Sequence, residues 1–295
     1  MDKLELSIII VDYKSSDNTI ALVSDLLKRL DNLRFEIIVV DNDPKSDAAD
    51  VIGKKFAADR RVVVIKSETN SGFGAGNNLG AKSANGEFLL LLNPDTKIYD
   101  DAVERMLDFL AKHSEIGALT PLIYQADGKN LQRHFFGRFQ SLSSLILRNQ
   151  AGKMPKKTAD FFYAEMITAA ALMIRRELFQ KLLGFDQKFF MYLEDEDLCR
   201  RITKLGYKNV VLATAKVIHF EGKSSSDFEK KKFYYKSQNY YWQKHHGIFQ
   251  TVLMKLLRSP YVLLQKKWLG NKKGSKIFQG AGSERDRFIE FLCFC

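Results

Sequence analysis

The stretches LSIIIVDY (6–13) and FEIIVVDN (35–42) are nearly unbroken runs of β-branched and apolar residues, each ending in an aspartate and a turn. A strand with one wet face alternates apolar and polar positions, whereas a run without alternation is buried on both faces, as in a parallel sheet covered by helices. Between the two runs, DNTIALVSDLLKRL (17–30) repeats its apolar residues at helical spacing, with Asp17 or Asn18 placed as the N-cap. The alternation continues outward. RVVVIKS (61–67) reads as a third strand, Asn77 to Ala84 as a helix and GEFLLLLNPDT (86–96) as a fourth strand. This is the order of a doubly wound, Rossmann-like α/β domain, with a mostly parallel central sheet flanked by helices and ligands at the carboxyl ends of its strands. Asp12, Asp41 and Asp95 all fall at such ends.

Further along, MITAAALMIRRELFQKL (166–182) reads as a strand and a helix, FMYLEDEDLCRRI (190–202) opens another helix, and NVVLATAKVIHF (209–220) is a last strand. The stretch from Gln125 to Glu165 is less regular, with Phe135, Phe136 and Phe139 among Arg133, His134 and Arg138. It is either a mobile substrate loop or an insertion packed on the surface. No internal repeat is present.

Composition narrows the function. With 295 residues, 45% of them hydrophobic, the chain can build a real core, so disorder does not dominate. Cys199, Cys293 and Cys295 show neither metal-ligand spacing nor an even disulfide framework, which points to a reducing compartment. MDKLELSIII lacks the pattern of a signal peptide, and no stretch reaches about 18 uninterrupted apolar residues, so a cytoplasmic location is expected. The net charge of +11 calls for an anionic partner. Its lysines crowd into EKKKFYYK (229–236) and QKKWLGNKKGSK (265–276), which suits a basic tail on a near-neutral enzyme better than a nucleic-acid groove. In HHGIFQTVLMKLLRSPYVLLQKKW (245–268), Ile248, Phe249, Val252, Leu253, Leu256 and Leu257 share one helical stripe near Lys255, Arg258, Lys266 and Lys267. Such a helix either lies on an anionic membrane surface or packs on the enzyme.

Four motifs carry candidate chemistry. NSGFGAGNN (70–78) is either a phosphate cradle at a helix N-terminus or a flexible turn; its glycines miss the dinucleotide spacing and follow the third strand, which disfavours an NAD site. NPDT (93–96) places Asp95 and Asn93 at the rim of the sheet, where they either hold a hard divalent cation or form a turn. His219, in VIHFEG (217–222), is structural or, with Asp95, a metal ligand; imidazole with carboxylate suits Mn2+ better than Mg2+. The four acids Glu194, Asp195, Glu196 and Asp197 suit the positive end of a helix, or one of them is chemical.

In their order, SIIIVDY, VVDN, NSGFGAGNN, LLNPDT, the long acidic segment and VIHFEGKS resemble the inverting glycosyltransferases of family two, with the GT-A fold, and within them the bacterial rhamnosyltransferase branch. The resemblance covers roughly residues 5–245. It implies a nucleotide-sugar-binding half at 1–120, an acceptor and catalytic half at 121–245, and a basic amphipathic extension at 246–295. It further implies that Asp12, Tyr13, Asp41, Asn70, Gly72, Phe73, Asn77, Asn93 and Asp95 line the donor site, and that Asp95 and His219 hold Mn2+ or Mg2+. Asp195 matches the family's base, and Glu194 would orient the acceptor. Two departures stand out. The first strand ends in Asp12-Tyr13 where the family has asparagine-tyrosine, and Asn93 replaces the first acid of the DxD motif.

The implied reaction moves rhamnose from dTDP-rhamnose to a glycan on a polyprenyl diphosphate, by an enzyme lying peripherally on the inner face of the cell membrane. A UDP-hexose or UDP-galactofuranose donor is the nearest alternative. A nucleotidyltransferase would need a glycine-rich basic loop after the first strand, where this chain has Lys14-Ser15-Ser16. A non-catalytic membrane-binding protein would leave the spacing of Asp41, Asp95 and Asp195 unexplained.

Overall fold

In the computed structural model, which describes residues 4–147, 150–155, 159–220 and 227–271, both opening runs are strands buried along their whole length. Side chains of the last helix are described from 229 to 258. The first half of the chain forms β1 (Leu6–Asp12), α1 (Ser16–Arg29), β2 (Phe35–Asp41), α2 (Ala48–Lys55), β3 (Val62–Lys66), α3 (Phe73–Ser83), β4 (Phe88–Leu92), β5 (Thr96–Ile98), α4 (Ala102–Lys112) and β6 (Ile116–Tyr124). There follow β7 (Phe136–Gly137), α5 (Leu142–Leu147), β8 (Phe161–Ala164), β9 (Met166–Ile167), β10 (Ala171–Arg175), α6 (Arg176–Lys181), α7 (Glu194–Lys204), β11 (Lys208–His219) and α8 (Asp227–Asn271).

The main sheet runs β3-β2-β1-β4-β10-β6-β11-β5, with β8 paired to β11. Its first four strands are parallel, β10 is antiparallel to both β4 and β6, and β11 is parallel to β6. The expected mostly parallel sheet is therefore present, with one reversed strand at its centre. That direction puts the ends of β1, β2, β4 and β11 on one edge, where Asp12, Asp41, Asn93 and His219 fall. Leu89 to Leu92 of β4 are all buried, and each such side chain contributes about 1.5–3 kcal/mol by leaving water. The expected boundaries need three changes. α3 starts at Phe73 instead of Asn77, β4 ends at Leu92, and β5, α4 and β6 complete the region after NPDT. In the irregular stretch, Phe135 and Phe136 are buried, and β8 adds to the sheet, so its described parts are a packed insertion.

Among the described residues, 140–147 and 227–271 form a second unit. Its long helix α8 is two helices broken at Gly247, where φ is 81° and ψ is 174°. The second folds back on the first: Arg258 donates to the side-chain oxygens of Gln238 (2.7 Å) and Asn239 (2.8 Å). Gln140 Oε1 accepts from Gln238 Nε2 and Trp242 Nε1, tying α8 to the segment that leads into α5. On the stripe read from the sequence, Ile248, Phe249, Val252, Leu256 and Leu257 are exposed, Phe249 to 82%. The side chains of Lys266 and Lys267, and both Cys293 and Cys295, lie outside the described residues.

Candidate functional site

Gly72 opens α3 with φ 89°, and a Cβ there would lie 2.0 Å from the carbonyl oxygen of Phe190. Only glycine allows the acidic segment's approach to come so close. Phe73 N–H donates to that same Phe190 carbonyl (3.1 Å), and Asn70 Oδ1 accepts from Gly72 N–H (3.1 Å) and Asn42 Nδ2 (3.2 Å). Two amides at the head of α3 are thus already bonded, and the loop seats residues 185–193. A second clamp completes the seat. Asn78 donates from Nδ2 to the Phe185 carbonyl and accepts from the Phe185 N–H, both at 2.8 Å.

The segment seated there runs into α7 through Tyr192 (φ 71°) and Leu193 (φ 67°), two successive non-glycine residues in the left-handed region. Such a backbone costs about 1 kcal/mol or more per residue and persists where the surroundings enforce it, commonly at functional sites. It delivers Glu194 and Asp195 to the first turn of α7. Glu194 is buried, and its Oε2 has no hydrogen-bond partner. Burial, reinforced by the charge of Asp195, pushes its pKa up to about 8. Asp195 also titrates above the usual carboxylate range because burial disfavours its charge, although the N–H groups of Glu196 and Ala169 donate to it. Asp197 is wholly buried and receives Arg201 Nε at 2.8 Å one helical turn on, so it is a structural ion pair.

A second cluster is tied to the same backbone. Asn93 N–H donates to the Ala170 carbonyl (2.9 Å), next to the Ala169 amide that serves Asp195. Asp95 Oδ1 is 3.2 Å from His219 Nε2, and Asn93 Nδ2 is 3.3 Å from the same nitrogen. Gln132 Oε1, 3.1 Å from His219 Nδ1, holds the ring in place. Among the described residues no three histidines, cysteines or acids gather as a metal-binding group. The fit for a divalent cation rests instead on a mixed set: the carboxylate of Asp95, the imidazole of His219 and the buried Asn93 Oδ1, which has no partner. An orphaned carbonyl oxygen beside a carboxylate is the donor a hard cation takes.

The remaining expected site residues separate into two groups. Asp12 and Asp41 sit in register at the ends of β1 and β2, yet both are wholly buried. Asp12 accepts from Ser15 Oγ (3.1 Å), Ser15 N–H (3.4 Å) and Thr19 Oγ1 (2.5 Å), and Asp41 accepts from the N–H groups of Asp43 (3.1 Å) and Ala49 (3.0 Å). In this structure these carboxylates hold the turns after their strands. Asn77 is also turned inward, with Nδ2 on the Phe73 carbonyl (3.0 Å). Tyr13 stays partly exposed, with Lys14 Nζ 5.2 Å from its ring centroid. The sequence reading passed over Asn42, Asn78 and Gln132. Their partners lie up to 107 residues away, and only VVDN and the paired asparagines of GNN hinted at them.

Comparisons with known proteins bear on the family and the fold. The chain is 26% identical over 154 residues to N-acetylglucosaminyl-diphospho-decaprenol L-rhamnosyltransferase of Mycobacterium tuberculosis, covering 47% of this chain and 48% of that protein. It is 25% identical to rhamnosyltransferase WbbL of Escherichia coli, over 77% of this chain and 87% of that one. The chain thus spans about half the length of the first of these relatives and most of the second. Among solved structures, GalNAc-T7 with UDP, GalNAc and Mn2+ superposes with a TM-score of 0.60 at 17% identity, over 81% of this chain and 51% of that one, which shows the shared GT-A fold. The model of glycosyl transferase family 2 matches residues 7–183, and the chain belongs to that family.

Proposed function

We propose that this chain transfers rhamnose from dTDP-rhamnose, with inversion, to a glycan carried on a polyprenyl diphosphate during synthesis of a cell-envelope polysaccharide. The observation that carries the reading is the Ala169-Ala170 dipeptide. Its amide serves Asp195 and its carbonyl anchors Asn93, so a candidate base and a candidate cation site flank one piece of backbone. An acceptor hydroxyl gives its proton to Asp195 as its oxygen attacks the anomeric carbon, and the nucleoside diphosphate departs from the opposite face. Because burial raises its pKa, Asp195 is a stronger base than a carboxylate in water, while the lower exposure of Glu194 suits it to positioning. Asp95, His219 and Asn93 would hold Mn2+ or Mg2+, which offsets charge on a leaving diphosphate when bound. Asn70, Gly72 and Phe73 shape the donor side, and Tyr13 offers the exposed ring there.

The relatives' printed names support rhamnose and a lipid diphosphate acceptor, whereas UDP in GalNAc-T7 keeps a UDP-sugar as the second donor reading. Among the described residues no helix is long and apolar enough to cross a membrane. The exposed Ile248 and Phe249, near Lys244 and Lys255, support a peripheral seat on the anionic cytoplasmic face. Thermal stabilisation and donor hydrolysis with Mn2+ and a panel of nucleotide sugars test the donor. dTDP-rhamnose is expected to give the largest effects. A larger response to UDP-galactofuranose or a UDP-hexose replaces the donor, and no response to any nucleotide sugar overturns the reading.

A further inference from the structure

An open groove of about 390 Å3 lies between the β7 segment and β8, away from the two clusters described above. Its volume is that of a small-ligand site. Phe136, Phe162 and Tyr163 supply aromatic wall, and Arg138 and Lys153 stand at it exposed, with no carboxylate partner among the described residues. The lining holds one acid, Glu165, whose Oε2 accepts the Phe139 N–H at 2.8 Å. The segment through Gly152 packs tightly on β7, since a Cβ on Gly152 would lie 2.1 Å from the ring of Phe136. An unneutralised pair of cations beside aromatic rings is chemistry for an anion joined to an apolar or sugar group.

The groove also backs onto the helix that carries the candidate base. Asn209 Nδ2 donates to the Glu165 carbonyl (2.9 Å) and to the Cys199 carbonyl of α7 (3.2 Å). The Arg200 guanidinium sits 4.9 Å from the ring centroid of Phe139, one residue beyond Arg138. Ala164 and Glu165 of its lining lead in four residues to Ala169, whose amide serves Asp195. We infer that this groove binds the diphosphate of the acceptor, with Arg138 and Lys153 on the phosphates and the aromatic wall against the adjoining isoprenoid. The inference rests on the lipid-diphosphate reading above and adds to it a location that neither the fold nor the relatives assign.

Farnesyl diphosphate is the probe, titrated into the full chain by calorimetry with UDP or dTDP and Mn2+ saturating the donor site. Arg138→Ala with Lys153→Ala should weaken farnesyl diphosphate binding by about tenfold or more for each charge-assisted hydrogen bond to phosphate that is removed. Nucleotide binding and melting temperature should stay as in wild type. Farnesol, which lacks the phosphates, should bind both proteins equally weakly. Equal farnesyl diphosphate affinity in the two proteins, or no binding by wild type, overturns the assignment. So does a parallel loss of nucleotide affinity, which would place the residues in the donor site. Nucleotide binding by wild type in the same titrations reports separately on the glycosyltransferase reading, so its failure is distinguishable from failure of the groove.

Discussion

Asp12 and Asp41 on one hand, and Glu194 and Asp195 on the other, are acids in different environments, the first pair and Glu194 buried and Asp195 partly exposed. The first two end buried parallel strands and are filled by donors from the turns that follow: three to Asp12 and two to Asp41. The second two begin a helix reached through a strained approach, and one oxygen of Glu194 has no partner at all. A buried carboxylate with its hydrogen bonds made is an anchor for the chain. One left short of donors, as Glu194 is, has its charged form destabilised and holds its proton to higher pH. Asp195 stands between the two cases: the N–H groups of Glu196 and Ala169 donate to it, and burial still raises its pKa.

Ranked by their effect on transfer, the tests of this contrast begin at Asp95. Asp95→Ala should abolish transfer and remove any Mn2+-dependent tightening of nucleoside diphosphate binding, measured by calorimetry with and without the metal. Metal-dependent binding that survives in the variant removes Asp95 from the cation site. Next, Asp195→Asn should slow turnover by about a hundredfold or more while leaving donor affinity nearly intact, because a base acts mainly in the transition state. Glu196→Gln, one position on, is the matched control and should cost far less. If the control proves the more damaging, the base lies elsewhere in the acidic run.

The contrast was only partly legible in the sequence. Strands β1, β2 and β4 announce themselves because only Ser7 and Glu36 break their apolar runs, and Asp197 with Arg201 four residues later is an ion pair readable from helical spacing. β6 went unread, since Gly117 and Pro121 dilute its strand pattern, although α4 beside it carries buried Val103, Met106, Leu107 and Leu110 at helical spacing. Satisfaction is another matter. Whether Asp12 or Glu194 has its donors depends on turn geometry and on contacts such as Asn93 with His219, 126 residues apart, which no local pattern encodes. The motif order located the acids, but only the fold separates the saturated ones from the starved ones.

A smaller effect on rate is expected at Glu194, together with a telling effect on stability. With its pKa near 8, Glu194 is mostly protonated at pH 7, so Glu194→Gln mimics its neutral form and should change turnover by less than about tenfold there. The sign for stability follows from the raised pKa. Below the ordinary value of 4.5 both folded and unfolded states hold the proton, and burial carries no titration penalty. Between that pH and about 8 the unfolded chain releases the proton first, so wild type loses about 1.4 kcal/mol per pH unit from this group, and above about 8 the loss is complete. The variant lacks this loss. Its melting temperature relative to wild type should therefore climb from pH 5 to pH 8 and then level off; a difference independent of pH would show that Glu194 is satisfied after all.

The smallest effect on rate belongs to Asp12, and it is where the contrast can most directly be broken. In Asp12→Asn one carboxylate oxygen becomes an amide that can no longer accept from Ser15 or Thr19 at the start of α1. A buried donor then faces donors, which costs about 1–3 kcal/mol, softened to the extent that the two hydroxyls rotate to accept instead. The change reaches activity only through the folded fraction, so turnover per folded molecule should remain within about twofold of wild type, and donor affinity should not move. Urea unfolding gives the stability loss, and active-site titration with nucleotide gives the folded, binding-competent fraction against which rates are scaled. Asp12→Asn with Thr19→Val should cost little more than the single change, because both remove the same bond. If instead the variant keeps its stability but loses donor affinity, Asp12 reaches the nucleotide as the family resemblance implied, and donor count at a strand end does not separate anchors from binding residues.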